Sequence, residues 1–370
     1  MTFDTTRGKW VGRATIDGKR PKVVRATKKE TQKALRDLMR EGERGKVADA
    51  NQTVNMAVRQ YRERTLASKN IAPSTREVTH WALGHVTDTI GSKRLRTLTV
   101  RDVEKMLDRL GDGSSTHAAL GRESLSKIRG TLGRVLDDAI RRGDVDRNVA
   151  RLAVLPPGAA RTAERRSLTP DQFRKLLSAC EGERLGAMFV LMLGSGVRPG
   201  EAAGLRWSAL DLDAGTMAIR SARRRGERGA VEVVDDLKTR QSRRTLGLPS
   251  FVVEALGAHR KAQNAERLAA PQWADDDLVF ATTRGSAISH PTMGLALTAI
   301  AEKAGIGKLS PNELRHTHAS ILVDAGESLD SVAQRLGHTT TRMVELTYRH
   351  AVRPSIDHGV LALENLVADG

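Results

Sequence analysis

The sequence is poor in cysteine and in aromatic residues. Its 370 residues include a single cysteine, Cys180, which excludes a disulfide framework and a cluster of thiolate ligands around a metal. Such a chain suits a reducing compartment, so we expect a cytoplasmic protein with Cys180 as a small buried residue on a helix. Aromatic residues make up 3% of the chain. This is few for a protein that stacks single-stranded bases along a groove.

Long hydrophobic runs are also missing. The sequence has no run of about eighteen apolar residues, no signal-peptide pattern and no basic helix with an aromatic face, so nothing in it favours a membrane. Positive charge is abundant instead: 61 Lys and Arg stand against 44 Asp and Glu, a formal net charge of +17. A polyanion is therefore the expected partner, and duplex nucleic acid is the leading candidate.

The first 48 residues predict a small basic domain. Residues 10–16 alternate between apolar and polar, Asp17-Gly18 is a hairpin turn signal, and residues 28–40 have a helical pattern. We expect a ββ(β)α unit over residues 1–48 that could lay its sheet in a DNA major groove. A solvated basic extension is the alternative, because blocks of unpaired charge are commonly disordered tails.

Residues 49–150 predict a helical bundle. Apolar residues recur at three- and four-residue steps in four segments joined by short connections. The first segment places Tyr61 on its apolar stripe, so we expect Tyr61 to be a core residue. The second begins with a capping box at residues 74–77 and has Val78, Trp81, Ala82 and His85 on its expected inner face.

A linker is predicted over residues 151–167, where Leu-Pro-Pro-Gly breaks all periodicity. Residues 168–370 form the last predicted domain, which contains a nearly continuous apolar helix over residues 185–194. Three short strands are expected there, over residues 216–220, 231–234 and 245–248. The predicted fold class is mainly α with small antiparallel β elements, divided among several domains.

A helix is predicted with well-defined ends in the C-terminal third. Ser310, Pro311 and Glu313 form a capping box with proline at the first helical position, so the helix starts there and runs to about residue 325. Arg315 lies beside its apolar stripe and not on it. The stripe consists of Leu314, His318, Ile321, Leu322 and Ala325.

A cation, an imidazole and a phenol follow one another in this region. Arg315 is on the helix just described, His338 comes directly after a second short helix, and Tyr348 lies on a third. Short helices could fold these three groups onto one pocket. Their combination favours phosphate chemistry.

Four motifs in order resemble the tyrosine recombinases, the integrases of phages and integrative plasmids. They are Gly196-Val197-Arg198-Pro199-Gly200-Glu201, the basic segment from Lys238 to Arg244, Leu314-Arg315-His316-Thr317, and Leu336-Gly337-His338 with Tyr348 ten residues after that histidine. By this resemblance, residues 1–48 would bind arm-type DNA sites, residues 49–150 would bind the core site, and residues 168–370 would be an α+β catalytic domain.

The resemblance also implies roles for individual residues. Tyr348 would attack the scissile phosphate, Arg198 and Arg315 would bind its nonbridging oxygens, His338 would donate a third hydrogen bond, and Lys238 would protonate the leaving oxygen. At the position where the family usually has histidine, three residues before Arg315, this chain has Asn312. An amide cannot take up a proton at neutral pH, so general-base assistance from Asn312 is in doubt.

The implied partners are double-stranded DNA attachment sites and three further copies of the chain in a synaptic tetramer. A DNA-bending host factor and an excisionase are possible additional partners. Neither a cofactor nor a metal ion is implied. Residues 356–367 place apolar residues on one helical face, which could pack on the chain's own domain or on a neighbouring protomer.

Alternatives remain open from the sequence. A type IB topoisomerase or a telomere resolvase would share the same cluster of residues. A non-catalytic DNA-binding regulator or nucleoid protein is the alternative from another class. Taken singly, Arg198 could be a surface arginine at a helix cap, and Lys238, among basic neighbours, could bind the DNA backbone generically.

Overall fold

The structure is a computed structural model. It describes residues 1–6, 8–15, 20–43, 51–113, 118–160, 166–225, 231–234 and 243–337. The chain divides into two compact units, Met1–Ala163 and Glu164–Gly370. Throughout these described ranges, every helix is too short or too polar to cross a membrane.

The first unit begins with a three-stranded antiparallel sheet and a helix. The sheet has the order β1 (Thr2–Asp4), β2 (Lys9–Arg13) and β3 (Lys22–Arg25), and α1 (Lys28–Glu43) follows. Gly12 lies against α1, since a Cβ on it would be 3.1 Å from Thr31 Cγ2. The expected ββ(β)α unit therefore has its third strand, and that strand precedes the predicted pair.

The rest of the first unit is a helical bundle. Its elements are α2 (Val54–Gln60), which continues as a π-helical turn (Tyr61–Leu66), α3 (Pro73–Ile90), a 3₁₀ turn (Leu95–Thr97), α4 (Val100–Asp112), α5 (Arg122–Arg141) and α6 (Val149–Leu152). Tyr61 is buried in the core, as predicted. Packing on the bundle continues past α6, because Ala153 and Leu155 are also core residues.

The predicted start of α3 was wrong, and of its predicted inner face Ala82 is buried whereas Val78 and Trp81 are not. The helix begins at Pro73 after Ala72, without a side-chain cap, and Val78 and Trp81 are 45% and 40% exposed. Its buried residues are Thr79, Ala82, Leu83, Val86 and Ile90. Thr79 can be buried because its hydroxyl donates to the Thr75 carbonyl at 2.8 Å. Leu83, Val86 and Ile90 supply the apolar contacts of the inner face, and Val78 and Trp81 face outward.

The second unit is mainly helical. Its helices are α7 (Pro170–Cys180), α8 (Gly186–Ser195), α9 (Pro199–Ala203), a 3₁₀ turn (Trp207–Ala209), α10 (Ser250–Ala269), α11 (His290–Lys303), α12 (Pro311–Asp324) and α13 (Leu329–Leu336). Every residue of α8 is buried, so it forms the centre of this core, as its apolar sequence predicted. Cys180 is a buried free thiol on α7, also as predicted.

Two small sheets complete the second unit. One has the antiparallel order β4 (Leu210–Asp211), β5 (Thr216–Ile219) and β8 (Arg244–Gly247); the other pairs β6 (Ala222–Arg225) with β7 (Val231–Val234). The three predicted strands are present within a residue of their expected ends. Strand β6 was missed because three of its four residues are arginine. Lys238 lies outside the described residues.

Helix α12 begins and ends as predicted but is rotated about its axis. It starts at Pro311 with the predicted capping box of Ser310 and Glu313 and ends at Asp324. Ile321 is exposed, although it was expected on the buried stripe. The buried residues are Pro311, Leu314, Arg315, Thr317, His318, Ala319 and Val323. Arg315 therefore points into the protein, contrary to the expected position beside the stripe.

Candidate active site

Arg198 is held at the start of α9 by Glu201. The Arg198 backbone N–H donates to Glu201 Oε2 at 2.9 Å, and its Nη1 donates to Glu201 Oε1 at 2.9 Å. These bonds pair Glu201 with Arg198. The Arg198 side chain remains 39% exposed. A guanidinium with five N–H donors can therefore meet these internal partners and still face an anion.

Glu201 is a buried carboxylate that stays ionised. Burial alone would raise its pKa, but the hydrogen bonds and charges of Arg244 and Arg198 outweigh burial and lower the pKa below the ordinary value. Its side chain is 4% exposed. A charge buried this far is tolerated only when it is paired and hydrogen-bonded, and here two arginines share it.

Arg315 joins the ends of two helices. From α12 its Nη1 donates to the Gly196 carbonyl at 2.7 Å, just past α8, and its Nη2 donates to the Leu336 carbonyl at 2.8 Å, at the end of α13. The residue is 8% exposed. The last carbonyls of a helix have no partner within the helix, so a buried guanidinium is well matched to them.

Arg244 makes a similar connection from the sheet. At the start of β8, its Nη2 donates to Glu201 Oε2 at 2.9 Å and its Nε donates to the Arg335 carbonyl at 2.8 Å. The side chain is 9% exposed. Arg244 therefore ties the carboxylate that holds Arg198 to the end of α13.

Three consecutive carbonyls at the end of α13 each accept a hydrogen bond from a different arginine. Arg244 donates to residue 335, Arg315 to residue 336, and Arg198 to residue 337 through an Nη2 at 2.9 Å from the Gly337 oxygen. Gly337 itself is in the left-handed conformation that ends the helix. The turn that leads directly into residue 338 is thus built on three guanidinium groups.

His318 is a buried neutral imidazole behind this cluster. Its Nδ1 lies 2.8 Å from the Leu193 carbonyl, and Arg335 Nε lies 3.1 Å from its Nε2. Because the arginine can only donate, Nε2 accepts and Nδ1 carries the proton. Burial, opposed by the bond to Leu193 and aided by Arg335 and Arg315, lowers the pKa of His318 to about 4. Its ring lies against Gly196, whose carbonyl accepts the hydrogen bond from Arg315.

The structure brings together part of the predicted site. Arg198 and Arg315 meet at the end of α13, as described above. Asn312 is exposed on the first turn of α12 and shares a side of that helix with Arg315, three residues later. Lys238, His338 and Tyr348 lie outside the described residues, so their predicted positions stay predictions.

Sequence reasoning missed the part played by Arg244. The motif included it only as one of several basic residues, although a signal was available. Arg244 and Leu246 are two positions apart on β8 and pair with Ile219 and Met217 of β5. Alternation along a strand puts both side chains on one face, and Leu246 is buried. An arginine in the buried register of a strand indicates an internal partner.

Among the described residues, this cluster does not have the composition of a metal site. In the part of the chain that the structure describes, no three His, Cys, Asp or Glu side chains are placed as ligands of a metal ion would be. The charged groups gathered here are guanidiniums with one carboxylate between them. Such a set is suited to an oxyanion such as a phosphate.

Known proteins share both the sequence pattern and the fold. The phage integrase family model matches residues 166–353. An integrase of Streptomyces ambofaciens is 30% identical over 391 aligned positions, covering 100% of this chain and 96% of that protein. The tyrosine recombinase XerD of Mycobacterium leprae is 29% identical over 309 positions, covering 79% of this chain and 90% of its own.

Solved structures show the same fold at low sequence identity. The Tn1549 transposon integrase in complex with transposon right end DNA has a TM-score of 0.69 at 19% identity, covering 85% of this chain and 100% of that one. A lambda integrase tetramer bound to a Holliday junction has a TM-score of 0.58 at 19% identity, covering 95% of each chain. The family model spans half of the sequence and the Streptomyces ambofaciens integrase aligns along all of it, and on these grounds the chain belongs to the phage integrase family of site-specific recombinases.

Proposed function

We propose that this recombinase cuts and rejoins duplex DNA strands at attachment sites through a 3′-phosphotyrosyl intermediate, and so integrates and excises a phage or another mobile element. The observation that carries the proposal is the meeting of Arg198 and Arg315 on the last carbonyls of α13. In the sequence, this turn continues directly into His338 and, ten residues later, Tyr348.

The two arginines would bind the scissile phosphate. A guanidinium presents a fork of N–H groups that matches two phosphate oxygens, and its charge stabilises the extra negative charge of a pentacovalent transition state. Arg198 is already fixed by Glu201 and Gly337, and Arg315 by Gly196 and Leu336. Donors held in place by the fold need little reorganisation when the charge develops.

Tyr348 would be the nucleophile. A tyrosine phenol ordinarily has a pKa near 10, so transfer of its proton to solvent water as the bond to phosphorus forms requires nearby positive charge. The phenolic oxygen forms a bond to phosphorus while the bond from phosphorus to the 5′ oxygen breaks. Lys238 gives that oxygen a proton, which releases a free 5′-hydroxyl, and His338 donates a hydrogen bond to the phosphate.

Rejoining would reverse this step with the 5′-hydroxyl of the partner strand. One phosphoester bond replaces another in each direction, so the bond energy is kept within the covalent intermediate. Neither ATP nor a metal ion is therefore required by the proposed chemistry. With Asn312 in place of a proton acceptor, activation of Tyr348 depends on the arginines.

The N-terminal unit would bind arm-type DNA sites with one face of its sheet. Gly12 faces α1, so Arg13 beside it faces the opposite side, together with its cross-strand partner Lys22. Lys9 is on that side too, since it is separated from Arg13 by an even number of positions. Asp4 lies opposite Lys9 on this face, and the three cations outnumber it, so the outer face keeps a positive charge suited to DNA phosphates.

The assembly would be a tetramer of this chain on two attachment sites, in the cytoplasm. The bundle and the catalytic unit would both bind the core site, and a DNA-bending host factor and an excisionase would set the direction of the reaction. The net charge of +17 supports binding to duplex DNA, because each neutralised phosphate releases counterions.

The function is tested by trapping the covalent intermediate. A nicked core-site duplex, from which the short strand with the 5′-hydroxyl diffuses away, should accumulate a protein–DNA adduct in EDTA without ATP. Tyr348→Phe lacks only the attacking oxygen, so it should bind the same duplex with unchanged affinity and form no adduct. Denaturing gels and gel shifts measure the two properties.

Two outcomes would contradict this function. A non-catalytic regulator would bind the duplex with a similar dependence on salt and never form the adduct. A nuclease that depends on a metal ion would cut only with a divalent cation and leave no protein attached.

The N-terminal unit is tested separately by deleting residues 1–48. Binding to arm-type sites should be lost, and binding to a core half-site should be retained. As a finer test, Arg13→Gln should weaken arm binding more than Arg36→Gln, which removes the same charge from an exposed position on α1. Equal loss of arm and core binding on deletion would show that residues 1–48 serve one common DNA clamp.

A further inference from the structure

The pair formed by Glu201 and Arg244 is more buried than a surface cap requires. Both side chains are at most 9% exposed, and Arg244 meets the carboxylate with two nitrogens, Nη2 at 2.9 Å and Nη1 at 3.3 Å. Arg198 meets the same carboxylate from its exposed side. One carboxylate thus lies between a buried arginine and an accessible one.

In this arrangement the two arginines have different roles. Glu201 must remain charged to hold Arg198, and a buried carboxylate needs a compensating charge. If Arg198 alone supplied that charge, its positive potential toward DNA would be largely cancelled. Arg244 neutralises Glu201 from within, so the charge of Arg198 stays available to a phosphate on the outside.

Arg244 also fixes the turn that precedes residue 338. Its Nε donates to the Arg335 carbonyl, and Gly337 packs directly on its guanidinium, where an added Cβ would be 2.9 Å from Nη1. Gly337 has a φ of +66°, which further favours glycine. One buried side chain therefore supports both Arg198 and the end of α13.

We infer that Arg244 is a positioning residue for DNA strand cleavage. It acts through Glu201 and through the carbonyl end of α13 to hold Arg198 and the turn before His338 in the geometry that binds the scissile phosphate. The inference rests on the proposed function and adds a residue that does not itself touch the DNA.

The test uses the full-length chain and four variants on the nicked core-site duplex. Single-turnover cleavage is measured at saturating protein, together with DNA affinity and melting temperature. Arg244→Gln and Glu201→Gln should each slow cleavage by roughly 10- to 100-fold, because displacement of a phosphate-binding group by about an ångström has an effect of that size. Arg243→Gln removes the same charge from the neighbouring exposed position and should cleave at the wild-type rate once bound.

The double variant Glu201→Gln/Arg244→Gln separates positioning from stability. It leaves no unpaired buried charge, so its melting temperature should recover relative to the single variants. Its cleavage should stay as slow as the slower single variant, because the two residues act on Arg198 as one unit. Recovery of both properties would show that the pair serves only folding, and multiplied losses would show that the two residues act independently.

A neutral substrate gives a second readout that a structural defect would not move. When a methylphosphonate replaces the scissile phosphate, one negative charge is absent and the charge of Arg198 matters less. The deficit of Arg244→Gln should therefore shrink by at least severalfold on this substrate. An equal deficit on both substrates, or wild-type cleavage by Arg244→Gln, would overturn the inference. Failure of the wild type to form any adduct would instead overturn the proposed function.

Discussion

Helices α5 and α12 belong to different units and bury different kinds of side chain. The inward residues of α5 are almost all apolar: Leu125, Ile128, Leu132, Val135, Leu136 and Ala139. Those of α12 include Arg315, Thr317 and His318. Burying such groups costs free energy unless each finds a partner, and in α12 each does. Helix α5 thus serves packing, whereas α12 also carries residues of the candidate site.

The partners of α12 explain why the cost is tolerated. Arg315 donates to two carbonyls at helix ends, which would otherwise lack hydrogen-bond donors in the interior. In α5 the buried Asp138 is also satisfied, by Thr65, Arg141 and Arg142. Arg141 and Arg142 lie at the end of α5 itself and Thr65 on the π-helical turn, and the three partners point to no common ligand. In the second unit, by contrast, the buried Arg244 holds Glu201, and Glu201 holds the accessible Arg198. This shared target distinguishes the polar interior of that unit.

The largest expected effect comes from Arg315. Arg315→Ala should slow strand cleavage by about 2 to 4 kcal/mol of transition-state stabilisation, which is roughly 30- to 1000-fold. Asn312→Ala, on the same helix three residues earlier, removes one neutral donor and should cost about 1 kcal/mol. Cleavage rates of both variants on the nicked half-site test the difference. Equal inactivity of the two would mean that Asn312 has a larger role than proposed.

A matched change on α5 should affect stability and not chemistry. Leu132→Ala removes a fully buried side chain and should lower the free energy of unfolding by about 2 to 5 kcal/mol. Cleavage by the folded, DNA-bound variant should match the wild type. Denaturant unfolding and single-turnover cleavage at low temperature measure the two quantities. If the variant is fully folded and saturated with DNA but still cleaves slowly, the proposed difference between α5 and α12 is wrong.

A smaller, pH-dependent effect is expected from His318. The unfolded chain takes up its proton near pH 6.5, whereas the folded protein does so only near pH 4. The contribution of this residue is therefore complete above pH 6.5 and is lost as the pH falls toward 4, by up to about 3 kcal/mol. His318→Asn, which can still donate to the Leu193 carbonyl, should flatten that slope in unfolding experiments. His290→Asn, at an exposed position, is the control and should keep it.

The sequence correctly predicted the features that follow from a repeating pattern or from a short local motif. The start of α12 followed from its capping box, and the burial of α8 followed from its apolar run. The predictions failed where contacts with distant parts of the chain determine which side chains are buried. Val78 and Trp81 look like core residues until the packing of α3 is known, and Arg315 looks like a surface residue until its two carbonyl partners are known.

Sequence motifs predicted some residues of the site, and contacts in the structure added the others. The motifs named Arg198 and Arg315, but the shared carboxylate between Arg198 and Arg244 and the row of carbonyls at residues 335–337 join segments far apart in the chain. No local pattern encodes such a meeting point. The alternation along β8 was the one available signal, and it would have placed Arg244 inward beside Leu246.

The most direct test of the account is to locate the covalent bond between protein and DNA. The adduct formed on the nicked core-site duplex in EDTA would be digested with protease and nuclease, and the nucleotide-bearing peptide identified by mass spectrometry. The account predicts a 3′-phosphate attached to Tyr348 and no adduct from Tyr348→Phe. Attachment to the buried Tyr61, to a serine or to any other residue, or full cleavage by Tyr348→Phe, would contradict it.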